Sequence, residues 1–106
     1  MNKYKIELTD QAVFDLEHIQ ERIMDDYSED TAIKAIRKII RSYSKLEDFP
    51  KSGIPVHKEF WTTDKELFLL RLWKDTLIYR FDGSLVTIIA VISNREDLAR
   101  KINKYI

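Results

Sequence analysis

The chain has 106 residues, a length that fits one domain with one hydrophobic core and excludes two. It contains no cysteine, which excludes disulfide bonds and thiolate chemistry, and its two histidines lie far apart in sequence, so we expect no metal site. The formal net charge is zero, and neither a leader-like segment nor an apolar run of about 18 residues is visible, so the expected location is the cytoplasm.

The N-terminal residues predict a strand followed by a helix. Residues 3–8, "KYKIEL", alternate polar and apolar side chains, which is the period of a half-buried strand. Thr9 and Asp10 then offer a helix N-cap. The apolar residues that follow recur at spacings of three and four, and they are Val13, Leu16, Ile19 and Ile23. This spacing predicts a helix that ends near Asp26.

A second helix is predicted from the cap residue Ser28 to about Asp48, and the short link makes a helical hairpin. The two helices differ in charge, because residues 1–26 hold three basic and seven acidic residues, whereas residues 31–46 hold five basic residues and no acid. Two interpretations follow. Either the helices lie side by side as solvated faces that partly neutralise each other, or the second helix is a basic patch for phosphate or an acidic partner.

Residues 49–66 contain both prolines and one of the two glycines, without a sustained period, and predict a long loop. His57 in this loop is either a solvated side chain or a general acid or base. Three β-rich runs follow at 67–73, 76–81 and 85–92, and the link "DGS" is an Asp-Gly hairpin signal. They predict an antiparallel meander, and the final segment "REDLARKINKYI" predicts a short helix.

The element order β-α-α-β-β-β-α predicts one α+β domain over residues 1–106, with the helical hairpin packed on one face of a roughly four-stranded, largely antiparallel sheet. The other face of the sheet lacks a second layer of helices except for the last one. Polar groups that project from that face are therefore expected to be exposed. No Gly-rich phosphate loop or Ser-His-Asp arrangement is present, and no cofactor is expected.

Basic and aromatic residues around the meander are the candidate functional residues. They are Arg71, Lys74, Arg80 and Arg95, with Trp61 and Trp73 nearby. Guanidinium and ammonium groups beside aromatic rings suit a phosphate backbone and a stacked base. The structural alternatives are an Arg71 whose stem packs while its head reaches water, and a Tyr79 that is a core residue with a satisfied hydroxyl. Strand alternation allows either Tyr79 or Arg80 near Arg71, but not both.

The polar cluster "SNRED" after the last strand has a local explanation. Ser93 and Glu96 fit the S-x-x-E capping box, so the cluster is interpreted mainly as the N-cap of the final helix. Capping leaves only Arg95 unexplained. Asn94 is an uncharged amide, which cannot supply a proton at neutral pH.

Three segments in order resemble one known family over essentially the whole chain. These are "YKIELTDQAVFDLEHI", "LEDFPKSG" and "LRLWKDTLIYRFDGSLVTIIAVISNREDL". They resemble the RelE/ParE superfamily of bacterial type II toxins. The resemblance implies the β-α-α-β-β-β fold, a growth-inhibiting toxin, and a cognate antitoxin whose tail wraps the sheet and the helical hairpin in a hetero-oligomer.

The resemblance implies two possible targets, because RelE-like members cleave messenger RNA on the ribosome and ParE-like members inhibit DNA gyrase. A ribonuclease would use Arg71 at the basic strand position, Arg95 after the last strand, and Tyr79. Asn94, however, stands where many relatives have His or Arg, and the strand "LLRLW" lacks the basic repeat of the ribonucleases. The resemblance therefore favours the ParE-like branch, with Lys74, Arg80, Trp73 and Asn94 as candidate contacts to target or antitoxin. An RNA-cleaving toxin and an inactive toxin that still binds its antitoxin are the alternatives.

Overall fold

The computed structural model of the chain describes residues 3–56, 67–72 and 74–93. The elements in chain order are β1 (Lys5–Leu8), α1 (Asp10–Asp26), α2 (Glu29–Ser44) with a 3-10 turn (Lys45–Glu47), β2 (Ile54–Pro55), β3 (Leu67–Arg71), β4 (Asp75–Phe81) and β5 (Leu85–Ser93). The predicted strand, helical hairpin and meander are thus confirmed. The predicted final helix lies outside the described residues.

The five strands form one sheet in the order β1-β5-β4-β3-β2. β1 runs parallel to β5, and the other pairs are antiparallel. The sheet has one strand more than roughly four, because Ile54 and Pro55, inside the predicted loop, pair with Leu69 and Phe68. A proline fits such an edge strand, since it cannot donate a hydrogen bond to a strand on its far side.

Both helices begin at the residues that the sequence indicates. The side chain of Thr9 accepts a hydrogen bond from Ala12 N, and that of Ser28 accepts one from Thr31 N. Such caps each stabilise a helix by about 1 kcal/mol. The buried residues of the two helices are Ala12 and Ile19 on α1 and Ala32 and Ile39 on α2. Within the described ranges, no helix is long and apolar enough to cross a membrane.

The sheet buries apolar side chains on both faces. The first cluster joins the helices to the sheet through Phe68, Leu77, Tyr79 and other residues. The second cluster contains Leu67, Leu69, Ile78, Ala90 and Ile92, which alternate with the first along each strand. The sequence predicted exposed polar groups on the second face, whereas the structure buries apolar side chains there. This burial agrees with the nearly continuous apolar runs of β4 and β5, which are typical of strands that are buried on both faces.

An irregularity in β5 fixes the start of α1 against the sheet. Ile78 lies opposite Ala90 and Tyr79 opposite Ile88, so Ile89 is an additional residue that forms a β-bulge. Thr9 N donates to Ile88 O at 3.0 Å and Thr9 Oγ1 donates to Ile89 O at 2.7 Å. The carboxylate of Asp15 accepts from Val91 N at 3.0 Å. The edge of β5 beyond β1 is therefore hydrogen-bonded to the first two turns of α1.

Candidate functional site

Arg71 lies at the end of β3 on the sheet face opposite the helices. Phe68 and Leu70 of the same strand pack into the helix-side core, so Leu67, Leu69 and Arg71 project from the second face. Arg71 is exposed and lies opposite Thr76 of β4. Its guanidinium is therefore presented to solvent at one end of an apolar row of the sheet.

Arg80 shares this second face but lies at its other end. It is half-buried and is paired with Leu67 of β3 and Thr87 of β5. Leu67 and Arg71 are four residues apart along β3, which is about 13 Å at the rise of a strand. Strand alternation allowed either Tyr79 or Arg80 on the same face as Arg71. The structure places Arg80 on that face, but at its opposite end, so the two cationic residues lie apart.

Lys74 lies in the turn between β3 and β4 and is exposed. The turn is closed by a hydrogen bond from Leu72 N to Asp75 O at 2.8 Å. Lys74 therefore lies at the same end of the sheet as Arg71, since Arg71 pairs with Thr76 directly after the turn.

Tyr79 projects from the helix side, opposite to Arg71. It is fully buried, its ring stacks on Phe68 with centroids 5.2 Å apart, and its hydroxyl accepts a hydrogen bond from Gly53 N at 2.9 Å. Burial raises the pKa of this phenol, an effect that the Gly53 hydrogen bond partly offsets, so the hydroxyl stays protonated at neutral pH. The structure does not bring Arg71 and Tyr79 together.

Gly53, the glycine of "FPKSG", is required by this contact. A Cβ at this position would lie 2.5 Å from Tyr79 Oη and 2.8 Å from Leu69 O, both closer than van der Waals contact allows. The loop before β2 is therefore held by a close backbone approach to a core tyrosine. The sequence contains a signal for this in a glycine shortly after a proline, but it does not reveal the partner.

Asp75 is a buried carboxyl that the sequence analysis did not single out. It is the first residue of β4, and its Oδ1 has no hydrogen-bond partner. Burial raises the pKa of Asp75, and the charges of Arg22 and Lys74 partly offset that increase. In the sequence this residue appears only as half of a Lys-Asp turn, so no local pattern could have indicated its burial.

Several sequence-predicted residues lie outside the described residues, namely His57, Trp61, Trp73, Asn94, Arg95 and Glu96. Of the capping box only Ser93, the last residue of β5, is described. Within the described ranges, no group of three or more His, Asp or Glu side chains could hold a metal ion. The described part of the site is thus a solvated arginine, a lysine in the adjoining turn, and a second arginine farther along the same face.

A helical hairpin on one face of a mixed sheet, with these basic residues on the other, defines a small α+β protein of the RelE/ParE type. The family model described as "ParE toxin of type II toxin-antitoxin system, parDE" matches residues 6–98, which is most of the chain. The chain therefore belongs to the ParE toxin family and is a toxin of a type II toxin-antitoxin system. No curated protein matches it.

Two of the solved structures that resemble the chain in fold come from toxin-antitoxin systems. One belongs to the chromosomal ParDE toxin-antitoxin system from P. aeruginosa, with 17% identity, a TM-score of 0.67, and coverage of 86% of this chain and 96% of that one. The other belongs to the toxin-antitoxin complex RelBE2 from Mycobacterium tuberculosis, with 21% identity, a TM-score of 0.58, and coverage of 87% and 99%. At these identities the likeness establishes the shared fold.

Proposed function

We propose that the chain arrests bacterial growth by inhibiting DNA gyrase, without cleaving RNA, until a cognate antitoxin neutralises it. The observation that carries the proposal is the match of the ParE toxin family to residues 6–98. We propose that the toxin acts in the cytoplasm, where DNA gyrase acts.

The chemistry of the described sheet face supports a binding role. Cleavage of RNA requires a base for the ribose 2′-hydroxyl, an acid for the leaving oxygen, and cations for the phosphate charge. Arg71 supplies a cation, but its neighbours on the same face are the hydroxyl of Thr76 and aliphatic side chains of the second cluster. Tyr79 is buried on the other side. Among the described residues no acid–base pair therefore accompanies Arg71.

The antitoxin partner is proposed from the fold and from the family. The two similar structures described above come from toxin-antitoxin systems, and one of them is a toxin-antitoxin complex. The chain covers nearly the full length of both of those chains. We therefore expect a hetero-oligomer in which an antitoxin segment covers surface of this toxin.

A ribosome-dependent endoribonuclease is the second candidate function. The observation that favours it is the exposure of Arg71 on the sheet face opposite the helices, because an arginine fork suits a phosphate group. An inactive toxin that retains only antitoxin binding is the third candidate. Lys74, Arg80, Trp73 and Asn94 remain proposed contacts for the target or the antitoxin, and Arg95 a proposed catalytic cation of the ribonuclease alternative.

The test is induced expression in a bacterium, with and without the neighbouring gene, combined with assays of the purified chain. We expect growth arrest that the neighbouring gene relieves, loss of gyrase supercoiling, and intact messenger RNA on translating ribosomes. Arg71→Ala should weaken the gyrase effect, whereas Lys51→Ala, which removes an exposed cation from the loop before β2, should not.

Each contrary outcome selects another function. Messenger RNA that is cut by the wild type and not by Arg71→Ala would replace gyrase inhibition with RNA cleavage. Unchanged growth on induction would leave the inactive toxin as the answer. Unimpaired supercoiling at a large excess of active toxin would refute the gyrase proposal.

A further inference from the structure

The outer surface of the helical hairpin carries two parallel stripes of opposite charge. The acidic stripe lies on α1 and consists of Asp10, Glu17, Glu21 and Asp25. The basic stripe lies on α2 and its C-cap and consists of Lys34, Arg37, Lys38, Arg41 and Lys45. The helical spacing of each set places its members on one side of the helix, and all of them are exposed.

The two stripes do not pair with each other inside the chain. Lys34 forms an ion pair with Asp30 at 3.2 Å, but both residues belong to α2. Among the described residues no ion pair joins α1 to α2, although the two helices pack side by side. Apart from the Lys34–Asp30 pair, the charge of the two stripes is therefore directed outward, and the stripes do not neutralise each other by contact within the hairpin.

The proximity of the stripes argues against a polyanion as the partner. Packed helices have axes about 8–10 Å apart. This separation is close to the Debye length of about 8 Å at physiological ionic strength, so a nucleic acid on the basic stripe would also be repelled by the acidic one. A surface with adjacent positive and negative stripes is complementary in charge to a second copy of the same surface that is rotated by a two-fold axis.

We propose that the outer surface of the helical hairpin is a docking site for a second copy of this chain. A two-fold axis parallel to the helices places α1 of each copy over α2 of the other, so that acidic and basic stripes meet twice. An in-plane axis perpendicular to the helices places like charges together and is disfavoured. Charge thus selects one arrangement of the dimer.

The positions of the charges along the hairpin agree with this arrangement. Residues at equal distance from the turn between α1 and α2 lie at similar heights, and a two-fold axis along the helices preserves height. The matched pairs between copies are Glu21 with Lys34, Glu17 with Lys38, and Asp10 with Lys45. Asp25 faces Asp30 by the same rule, so the contacts at the turn end of the hairpin are not complementary. By the same rule Phe14 lies over Arg41 of the second copy, which suits a cation–π contact.

Phe14 gives the surface an apolar component. Its side chain is 54% exposed and its ring packs edge-on against His18, with centroids 4.4 Å apart. The contact area is limited, because helices of this length span about 24 Å and two of them about 20 Å across, which gives about 500 Å² per copy. This is below the usual size for a stable complex, so we expect a weak dimer that dissociates in salt.

Charge reversal of each stripe provides the test. One variant carries Lys34→Glu and Lys38→Glu, and the other carries Glu17→Lys and Glu21→Lys. The wild type should sediment with twice the mass of one chain at about 100 μM and low salt. Each variant alone should associate at least about tenfold more weakly, since like charges then meet. An equimolar mixture of the two variants should recover the dimer, because both contacts in the mixed pair again join opposite charges.

A control with Lys3→Glu and Lys51→Glu reverses two exposed charges outside the stripes and should still dimerise. Circular dichroism must show that all variants are folded, so that loss of the dimer reports the surface. A monomeric wild type under these conditions would overturn the proposal, as would a variant mixture that stays monomeric. Binding of a DNA duplex that the α2 variant loses and the α1 variant gains, without any dimer, would assign the basic stripe to nucleic acid instead.

Discussion

Replacing Gly53 with alanine tests how closely the loop before β2 is held to Tyr79. The new Cβ would lie 2.5 Å from Tyr79 Oη, 2.9 Å from Tyr79 Cε1 and 2.8 Å from Leu69 O. Leu69 cannot readily move, because it is paired with Ile54 on one side and Ile78 on the other. The strain must therefore be relieved by displacing the loop or the tyrosine.

The expected cost follows from two effects. Overpacking at a site of this kind costs about 1–3 kcal/mol. Displacement of the loop also weakens the hydrogen bond from Gly53 N to Tyr79 Oη, whose net contribution to stability is about 1 kcal/mol. We expect Gly53→Ala to lower the free energy of unfolding by about 2–4 kcal/mol, which corresponds to a fall in Tm of at least about 8 °C for a domain of this size.

A double-mutant cycle with Tyr79→Phe isolates the contact. Tyr79→Phe removes the acceptor of Gly53 N and should cost about 1–2 kcal/mol. It also removes the 2.5 Å contact, so Gly53→Ala should cost less in that background, by at least about 0.5 kcal/mol. Relief should be incomplete, because Leu69 O remains in place.

Urea unfolding followed by circular dichroism measures all four corners of this cycle. Ser52→Ala is the control, since Ser52 is exposed and adjacent, and it should change stability by less than about 0.5 kcal/mol. A similarly small effect of Gly53→Ala, or strict additivity of Gly53→Ala and Tyr79→Phe, would refute the close approach. If Tyr79→Phe lowers the free energy of unfolding but still arrests growth at temperatures below its Tm, then Tyr79 has a structural role and is not needed for toxicity.

Three further substitutions probe other parts of the structure, each measured by urea unfolding. Asp15→Ala leaves Val91 N without its acceptor and should cost about 1–3 kcal/mol, whereas a near-neutral result would contradict that bond. Gly83→Ala should cost about 1–2 kcal/mol through backbone strain alone, because Gly83 has φ +102° and its Cβ would meet nothing within 4 Å. Burial raises the pKa of Asp75, so the wild type loses stability as the pH rises from the unfolded pKa through the folded one. Asp75→Asn should therefore gain stability relative to the wild type at neutral pH, and this gain should shrink as the pH falls through the folded pKa and be absent below about pH 4; a gain independent of pH would contradict it.

The elements that were predictable from sequence are those fixed by local chemistry. Thr9 and Ser28 mark the helix starts because each cap bonds to a backbone N–H three residues later. β2 was hidden inside the predicted loop because two residues, one of them a proline, carry no periodic signal and become a strand only by pairing with β3. The bulge at Ile89 is likewise a long-range feature, since its freed carbonyl is bonded by Thr9.

The candidate site was predictable only where alternation alone decides it. Alternation places Arg71 on the face opposite Phe68 and Leu70, and the structure has it there. The choice between Arg80 and Tyr79 as its companion required the register of β3 against β4, which no local pattern contains. The burial of Asp75 depends in the same way on how the turn after β3 lies against the rest of the domain.

The separation of Arg71 and Arg80 bears on the kind of target that the second face fits. The two positions lie about 13 Å apart along the strands, with Leu69 and Ile78 between them. The oxygens of one reacting phosphate lie within about 3 Å of each other, and a catalytic clamp requires its cations to converge on them. Two arginines at opposite ends of an apolar row instead suit an extended partner, with anionic groups at both ends and an apolar middle.

This geometry is the physical reason to expect that Arg71→Ala and Arg80→Ala impair binding about equally and additively, measured as dissociation constants for the target. Strong non-additivity of the two substitutions would indicate that both arginines bind the same phosphate group, as a nuclease would require.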